Sequence, residues 1–203
     1  MITIIDYGAG NIASVIKAFN FLGIETELTD DIDKIANADA CVLPGVGSFG
    51  DAMDNINKRR LLKPIKDFIA SGKPFLGICL GLQLLFERSE ESPGVEGLSV
   101  LKGEIVKIPS DLGVKVPHIG WNSLEYQNKG DIFENSEDEA YVYFVHSFYL
   151  KAEEDIVTST ADYGVKIHAS VQKGNLSACQ FHPEKSGKTG LKLLENFARK
   201  VAK

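Results

Sequence analysis

The sequence predicts an α/β protein with a mixed central sheet, and three observations carry that expectation. Short β-rich runs alternate with helical patterns through the first half of the chain, the order of a parallel sheet joined by crossover helices. Beyond Phe86 the pattern changes to successive β-type runs with turns between them and little helix, the order of an antiparallel or mixed extension. A final segment, residues 190–202, places Leu191, Leu194, Phe197, Ala198 and Val201 on one helical face, which is expected to cover the sheet.

The elements follow in order. Residues 2–7 read as a strand, and Gly8-Ala9-Gly10-Asn11 turns into a helix over 12–22 that stops at Gly23. A second strand covers 25–29. Asp30 and Asp31 offer N-caps to a short helix ending near Asn37, and Ala40-Cys41-Val42-Leu43 is a buried strand closed by Pro44-Gly45. Helix follows over 50–58 and 61–71, with Gly72 and Pro74 as punctuation before the strand that ends at Cys79. The later β-type runs are 100–108, 141–146, 156–161, 165–172 and 176–181. With 44% hydrophobic residues in 203, no internal repeat and no low-complexity linker, residues 1–203 are read as one domain with a full core.

Composition removes several classes of function. The formal net charge is -6 and the Lys and Arg residues are scattered, so the basic stripe of a nucleic-acid binder is missing. The three cysteines, Cys41, Cys79 and Cys179, form neither a disulfide framework nor a metal knuckle and read as reduced intracellular thiols. The N-terminus has no basic leader and no segment reaches membrane-spanning length, so cytoplasmic residence is expected. No metal or cofactor is expected either, because the candidate ligands are single residues and thiolate ligation would consume Cys79.

The chemistry centres on Gly77-Ile78-Cys79-Leu80-Gly81, which has the spacing of a nucleophile elbow. Two glycines there permit a tight strand-to-helix turn that lifts the central side chain out of the sheet. A helix starting at Leu80 would aim free N–H groups at the sulfur, favouring thiolate. A buried structural cysteine would give the same pattern. The nucleophile needs a base, and His182 in Phe181-His182-Pro183-Glu184 suits it: extended geometry across the proline would direct His182 and Glu184 the same way. His146, at a strand end, is the rival base. His168 lies inside a strand pattern and His118 in a loop, so both read as packed. Leu43-Pro44-Gly45-Val46-Gly47-Ser48-Phe49-Gly50 is a glycine-rich loop that can supply half of an oxyanion hole, though a plain turn reads the same. Gln83 lies one helical turn after Cys79. Glu87, Glu90 and Glu91 read as a solvated acidic run, one of which can hold a substrate ammonium.

Cys79, His182 and Glu184, in that order, resemble the triad of the class I glutamine amidotransferases. The Pro44-to-Gly50 loop and Pro117-His118-Ile119-Gly120-Trp121-Asn122 narrow the resemblance to the glutaminase subunits of imidazole glycerol phosphate synthases. The resemblance runs from Asp6-Tyr7-Gly8 to Lys185-Ser186 and implies a flavodoxin-like, three-layer fold with a mostly parallel sheet and an antiparallel extension. It also implies a thioester route, with Cys79 as nucleophile, His182 as acid and base, Glu184 orienting His182, and Leu80 with Val46 or Gly47 stabilising the oxyanion. Glutamine would be held by Gln83, Glu91, His146, Ser147 and Phe148. Ammonia would pass to a cyclase subunit with a (β/α)8 barrel, in a heterodimer contacted through Asn11, His118, Trp121, Asn122 and Lys185. Another class I glutaminase, a stand-alone cysteine hydrolase and a purely docking subunit are the other readings of the same residues.

Overall fold

A computed structural model of the chain describes residues 1–137 and 139–202. β1 (Ile2–Ile5) is buried along its whole length, as a run of isoleucines covered on both faces requires. The chain leaves it through Asn11 at φ 62, a left-handed state asparagine tolerates, into α1 (Ile12–Phe21), which buries Val15, Ala18 and Phe19. β2 (Thr26–Thr29) lies at the sheet edge. α2 (Ile32–Asn37) follows, capped by the Asp31 carboxylate accepting from the N–H of Asp33 and Lys34. β3 (Ala40–Leu43) is wholly buried. Next come α3 (Phe49–Lys58), α4 (Leu62–Ala70), the buried β4 (Phe75–Ile78) and α5 (Leu80–Leu84).

The second half contains β5 (Arg88–Ser89), β6 (Gly103–Lys107), β7 (His118–Tyr126), β8 (Ala140–His146) and β9 (Phe148–Ala152). β10 (Val157–Asp162), β11 (Lys166–Lys173), β12 (Leu176–Cys179) and α6 (Gly187–Arg199) complete it. β5, β7 and β9 were not expected from the sequence, and each has a physical reason. In β7 the usual polarity is inverted: His118 faces in while Ile119 and Trp121 are exposed, so hydrophobic alternation gives no strand signal. β9 follows β8 after Ser147 alone and reads as its continuation, although β8 and β9 belong to different sheets. β5 has two residues, too few for any periodicity.

Among the described residues nine strands form one sheet in the order β2-β1-β3-β4-β12-β11-β10-β7-β8, and β5-β6-β9 form a second. The strands from β2 to β12 pair in parallel, and those from β12 to β8 pair antiparallel. Successive residues of the parallel strands feed opposite faces. Ile4, Val42, Leu76 and Ile78 join the core under α1 and α6, with Phe19, Leu194 and Phe197. Ile5, Cys41, Leu43 and Phe75 join the core under the other helices, with Phe49, Met53, Ile65 and Phe68. The result is three layers, with the carboxyl ends of β1, β3, β4 and β12 opening on one edge, where ligand sites of such sheets form. Among the described residues no helix is long and apolar enough to cross a membrane.

One of the tightest approaches in the fold is at Gly81, where an added β-carbon would lie 1.9 Å from the Leu43 carbonyl oxygen. Gly81→Ala is expected to destabilise the chain by about 3 kcal/mol, because two backbones must separate. Gly23→Ala, at φ 72 with nothing within 4 Å, should lose only about 1 kcal/mol. Urea midpoints of the two variants check the contrast, and equal losses would mean that β3 yields freely.

Candidate active site

Cys79 sits between β4 and α5 at φ 54 and ψ -106, a backbone state that a side chain resists. Hydrogen bonds on both sides hold it there: Cys79 N–H donates to the Cys179 carbonyl at 2.7 Å, and Leu80 N–H to the Gly45 carbonyl at 3.3 Å. Neither elbow glycine is left-handed. Gly77 and Gly81 are required for close approach, since a β-carbon on Gly77 would lie 2.9 Å from the Gly81 carbonyl oxygen. α5 has five residues, shorter than the helix expected to polarise the thiol, so local N–H donors count for more here than a macrodipole.

The loop after β3 passes over this turn. The Tyr7 hydroxyl donates to the Pro44 carbonyl at 2.8 Å, and a β-carbon at Gly45 would meet that hydroxyl at 2.1 Å. Burial, then the charge at Cys79, push the Tyr7 phenol far above its ordinary pKa, so it stays a neutral donor. Gly47 is at φ 112, open to glycine and strained for other residues.

His182 follows β12 and its ring is buried. Nδ1 lies 2.7 Å from Glu184 Oε1, and the same oxygen accepts from Asn11 Nδ2 at 2.9 Å. Asn11, expected at a partner contact, thus touches the carboxylate that holds His182. Pro183–Lys185 is a 3-10 helix, so the His-Pro-Glu segment is not extended as expected: proline opens a tight turn, and the turn brings Glu184 back to the ring. Burial acts to lower the His182 pKa, but the Cys79 and Glu184 side chains together outweigh it and raise it to about 10. The ring is therefore held as an imidazolium despite its burial.

The remaining expected residues divide between a cavity and its surroundings. A cavity of about 440 Å³ is lined by Cys79, Leu80, Val46, Gly47, Gln83, Glu91, His146, Ser147, Phe148 and Lys185, among others. Glu91 is not merely solvated: one oxygen accepts from Phe49 N–H at 2.7 Å, at the start of α3. Glu87 and Glu90 likewise accept from the N–H groups of Gly103 and Lys107. His146 has both nitrogens engaged, Nδ1 with the Phe148 carbonyl at 2.9 Å and Nε2 with His118 Nδ1 at 3.0 Å, which leaves none to take a thiol proton. His118 lies in β7, not in a loop, and is 2% exposed. Its ring stacks on Phe144 and Tyr163, at 4.7 and 3.8 Å. His168 Nδ1 accepts from Ala152 N–H.

On the outer face Trp121 is 56% exposed, edge-on to Tyr143 at 6.2 Å, and Lys185 Nζ lies 6.0 Å from the Tyr143 ring centroid. Asn122 Nδ2 donates to the Asp162 carbonyl at 2.8 Å. Gln180, which the sequence reading passed over, is fully buried with Nε2 3.7 Å from Cys79 Sγ. A lone amide ending an apolar strand, two residues before His182, was the available signal.

A model of the family described as glutamine amidotransferase class-I matches residues 3–201. The chain belongs to the class I glutamine amidotransferases. Its similarity to a subunit within that family is high. The imidazole glycerol phosphate synthase subunit HisH of Rhodopirellula baltica is 51% identical over 199 residues, covering 98% of this chain and 97% of the relative. The subunit of the same name from Aquifex aeolicus is 50% identical over 202 residues, covering 98% and 97%. Among solved structures, a chain of PurLQS from Thermotoga maritima superposes with a TM-score of 0.76 at 22% identity, covering 98% of this chain and 97% of that one. That likeness shows the shared amidotransferase fold.

The histidines give this member of the family a defined acid response. Burial lowers His118 to about 4, and burial with the neighbouring His118 lowers His146 to about 3, from an ordinary 6.5. Between these values the unfolded chain binds protons that the folded chain refuses, so stability falls as pH drops through 6.5 toward 4. His182 has the opposite sign: its contribution is complete below 6.5 and is lost as pH rises toward about 10. Urea midpoints are expected to fall from about pH 7 to about pH 5, less steeply in His118→Phe, which keeps the aromatic stack. An unchanged slope in that variant would show that the folded histidine pair does carry a proton.

Proposed function

We propose that the chain is the glutaminase subunit of an imidazole glycerol phosphate synthase, a single cytoplasmic domain spanning residues 1–203. It hydrolyses glutamine to glutamate and ammonia for a partner cyclase. The observation that carries this reading is the buried Cys79, His182 and Glu184 set, with the thiol opening on the 440 Å³ cavity. The names of the relatives, similar over nearly the whole chain, support the choice of synthase.

In this reading the Cys79 thiolate attacks the side-chain carbonyl carbon of glutamine, forming the C–S bond and a tetrahedral oxyanion. The C–N bond then breaks as His182, which holds the thiol's proton, passes it to the departing nitrogen, and ammonia leaves a thioester. Water attacks the thioester, giving its proton through His182 to the sulfur, and glutamate is released. Glu184 keeps the His182 ring oriented and balances its charge. Glu91 supplies a negative group for the substrate ammonium. Gln83, whose amide hydrogens are directed at Phe148 and Gln180, has its carbonyl oxygen free to accept from the substrate. His146, Ser147 and Phe148 form the opposite wall.

The partner is proposed to be a (β/α)8-barrel cyclase seated on the face of β7 and β8. Ile119, Trp121 and Tyr141 are 58%, 56% and 54% exposed there, and a cluster of large apolar groups on a soluble surface suits an interface anchor. Lys185 and Asn122 lie beside it, while His118 and Asn11 support it from within. The oxyanion donors are Leu80 N–H and a peptide N–H of Val46 or Gly47. Leu80 N–H is already taken by the Gly45 carbonyl, so the loop must shift before that donor serves the substrate.

Cys79→Ala is expected to lower glutamine hydrolysis roughly 10⁴-fold or more and to abolish labelling by a glutamine-analogue electrophile, with partner binding and ammonia-driven cyclisation retained. Glu184→Gln should keep at least about tenfold more activity than His182→Ala, because the carboxylate only orients and stabilises the imidazolium. Labelling at Cys41 or Cys179 would move the nucleophile, and the reverse ranking would move the base.

The occupied Leu80 donor also predicts weak glutaminase activity in the isolated chain. Adding the cyclase with its nucleotide substrate should raise kcat by about 10² to 10³-fold, the worth of one oxyanion donor. A chain that alone hydrolyses saturating glutamine as fast as the loaded complex would disprove the loop's role, and a change confined to KM would shift it to the binding pocket.

A further inference from the structure

We infer that Gln180 is a positioning residue for the reaction, its side-chain amide held so that an N–H is directed at the Cys79 sulfur and stabilises the thiolate. The inference rests on the reading of Cys79 as nucleophile, and it concerns a residue outside the triad. Its starting point is the Phe148 carbonyl, which can only accept hydrogen bonds. Two donors converge on it, His146 Nδ1 at 2.9 Å and Gln83 Nε2 at 3.1 Å. Both orientations follow: His146 carries its proton on Nδ1, and Gln83 turns its nitrogen inward.

The second N–H of Gln83 meets Gln180 Oε1 at 3.0 Å. With its oxygen so occupied, Gln180 presents its nitrogen to Cys79 Sγ at 3.7 Å, a separation suited to a large sulfur acceptor. Turning the Gln180 amide over would set two NH₂ groups against each other and an oxygen against a thiolate. The orientation is therefore fixed at every step from Phe148 to the sulfur. It is also fixed from behind: His146 Nε2, lacking a proton, accepts from His118 Nδ1 at 3.0 Å.

Gln180 is 0% exposed, Gln83 5%, His146 7% and His118 2%. Water does not compete in such a network, so a hydrogen bond to a charged sulfur is strong there. The titratable and charged groups around the sulfur come from several elements. His182, Glu184 and Cys179 lie in or after β12, Tyr7 follows β1, and His146, Glu91 and Lys185 line the cavity. Gln180 adds to these a neutral donor whose effect does not change as the others titrate.

A buried amide can also simply brace α5 against β12, so the test must read the sulfur itself. The full-length chain is alkylated with iodoacetamide across a pH series, the modified residue is located by peptide mass mapping, and the rate at Cys79 is followed. Gln180→Met, similar in volume but without the donor, is expected to raise the midpoint of the pH profile by about one unit, a tenfold lower thiolate fraction below it. It should lower kcat about tenfold in the cyclase complex with KM changed less than about twofold. Gln83→Met, which frees Gln180 to turn, should shift the midpoint the same way by less. A folded Gln180→Met protein whose Cys79 profile matches wild type would overturn the inference and leave a brace. If that variant does not fold, the Gln83→Met profile decides, and no shift there overturns it equally. Alkylation at another cysteine in the wild-type chain, or hydrolysis surviving Cys79→Ala, would instead remove the underlying reading of the nucleophile.

Discussion

The site depends on one contact between backbones, the packing of the turn at Gly77, Cys79 and Gly81 against the carbonyls of Leu43 and Gly45. There is no room for a β-carbon at Gly81, and this closeness lets Leu80 N–H reach the Gly45 carbonyl. The same packing leaves Cys79 in a backbone state that its own side chain opposes. Strain of this kind persists only where surrounding structure over-determines it. Here β3 and β12 do so from either side, and the thiol is directed toward the cavity instead of into the sheet.

Around that turn the buried polar groups divide by charge. His182 has Glu184 at 2.7 Å and the Cys79 sulfur nearby, so its proton is stabilised despite burial. His146 and His118 have each other, a carbonyl and aromatic rings, so burial keeps them neutral. Two histidine environments within one site are thus driven in opposite directions, one toward a charged ring and the other toward a neutral, fixed scaffold. The neutral pair has a directional use, because its tautomers are set by the Phe148 carbonyl. That carbonyl in turn orients the glutamines leading to the sulfur.

The elbow and the pairing of His182 with Glu184 were legible because both are short-range, although the pair is made through a 3-10 turn and not the extended run expected. Two glycines flanking a cysteine, and a proline between a histidine and a glutamate, constrain the chain within a few residues. The three layers were an implication of the family resemblance, and the structure builds them by feeding Ile4 and Ile5, or Val42 and Leu43, to opposite faces of a strand. β7 was not legible. At its start the inward residue is a polar histidine and the outward ones are Ile119 and Trp121, so the pattern there makes sense only with the His118 to His146 hydrogen bond on one side and an exposed apolar face on the other. Gln180 was missed because a single amide at a strand end carries no periodicity.

The sequence by itself determined the alternation of elements, the turn at Cys79 and the identity of the triad candidates, because local sterics and spacing suffice for these. Only the tertiary structure decided that Glu184 turns back to the His182 ring, that Asn11 holds Glu184, and that Leu80 N–H is occupied by Gly45. These depend on contacts between residues as far apart as Asn11 and Glu184. Such pairs meet only when β1, β3, β4 and β12 open on one edge of the sheet, and strand order is a property of the whole chain's packing, which no local pattern encodes.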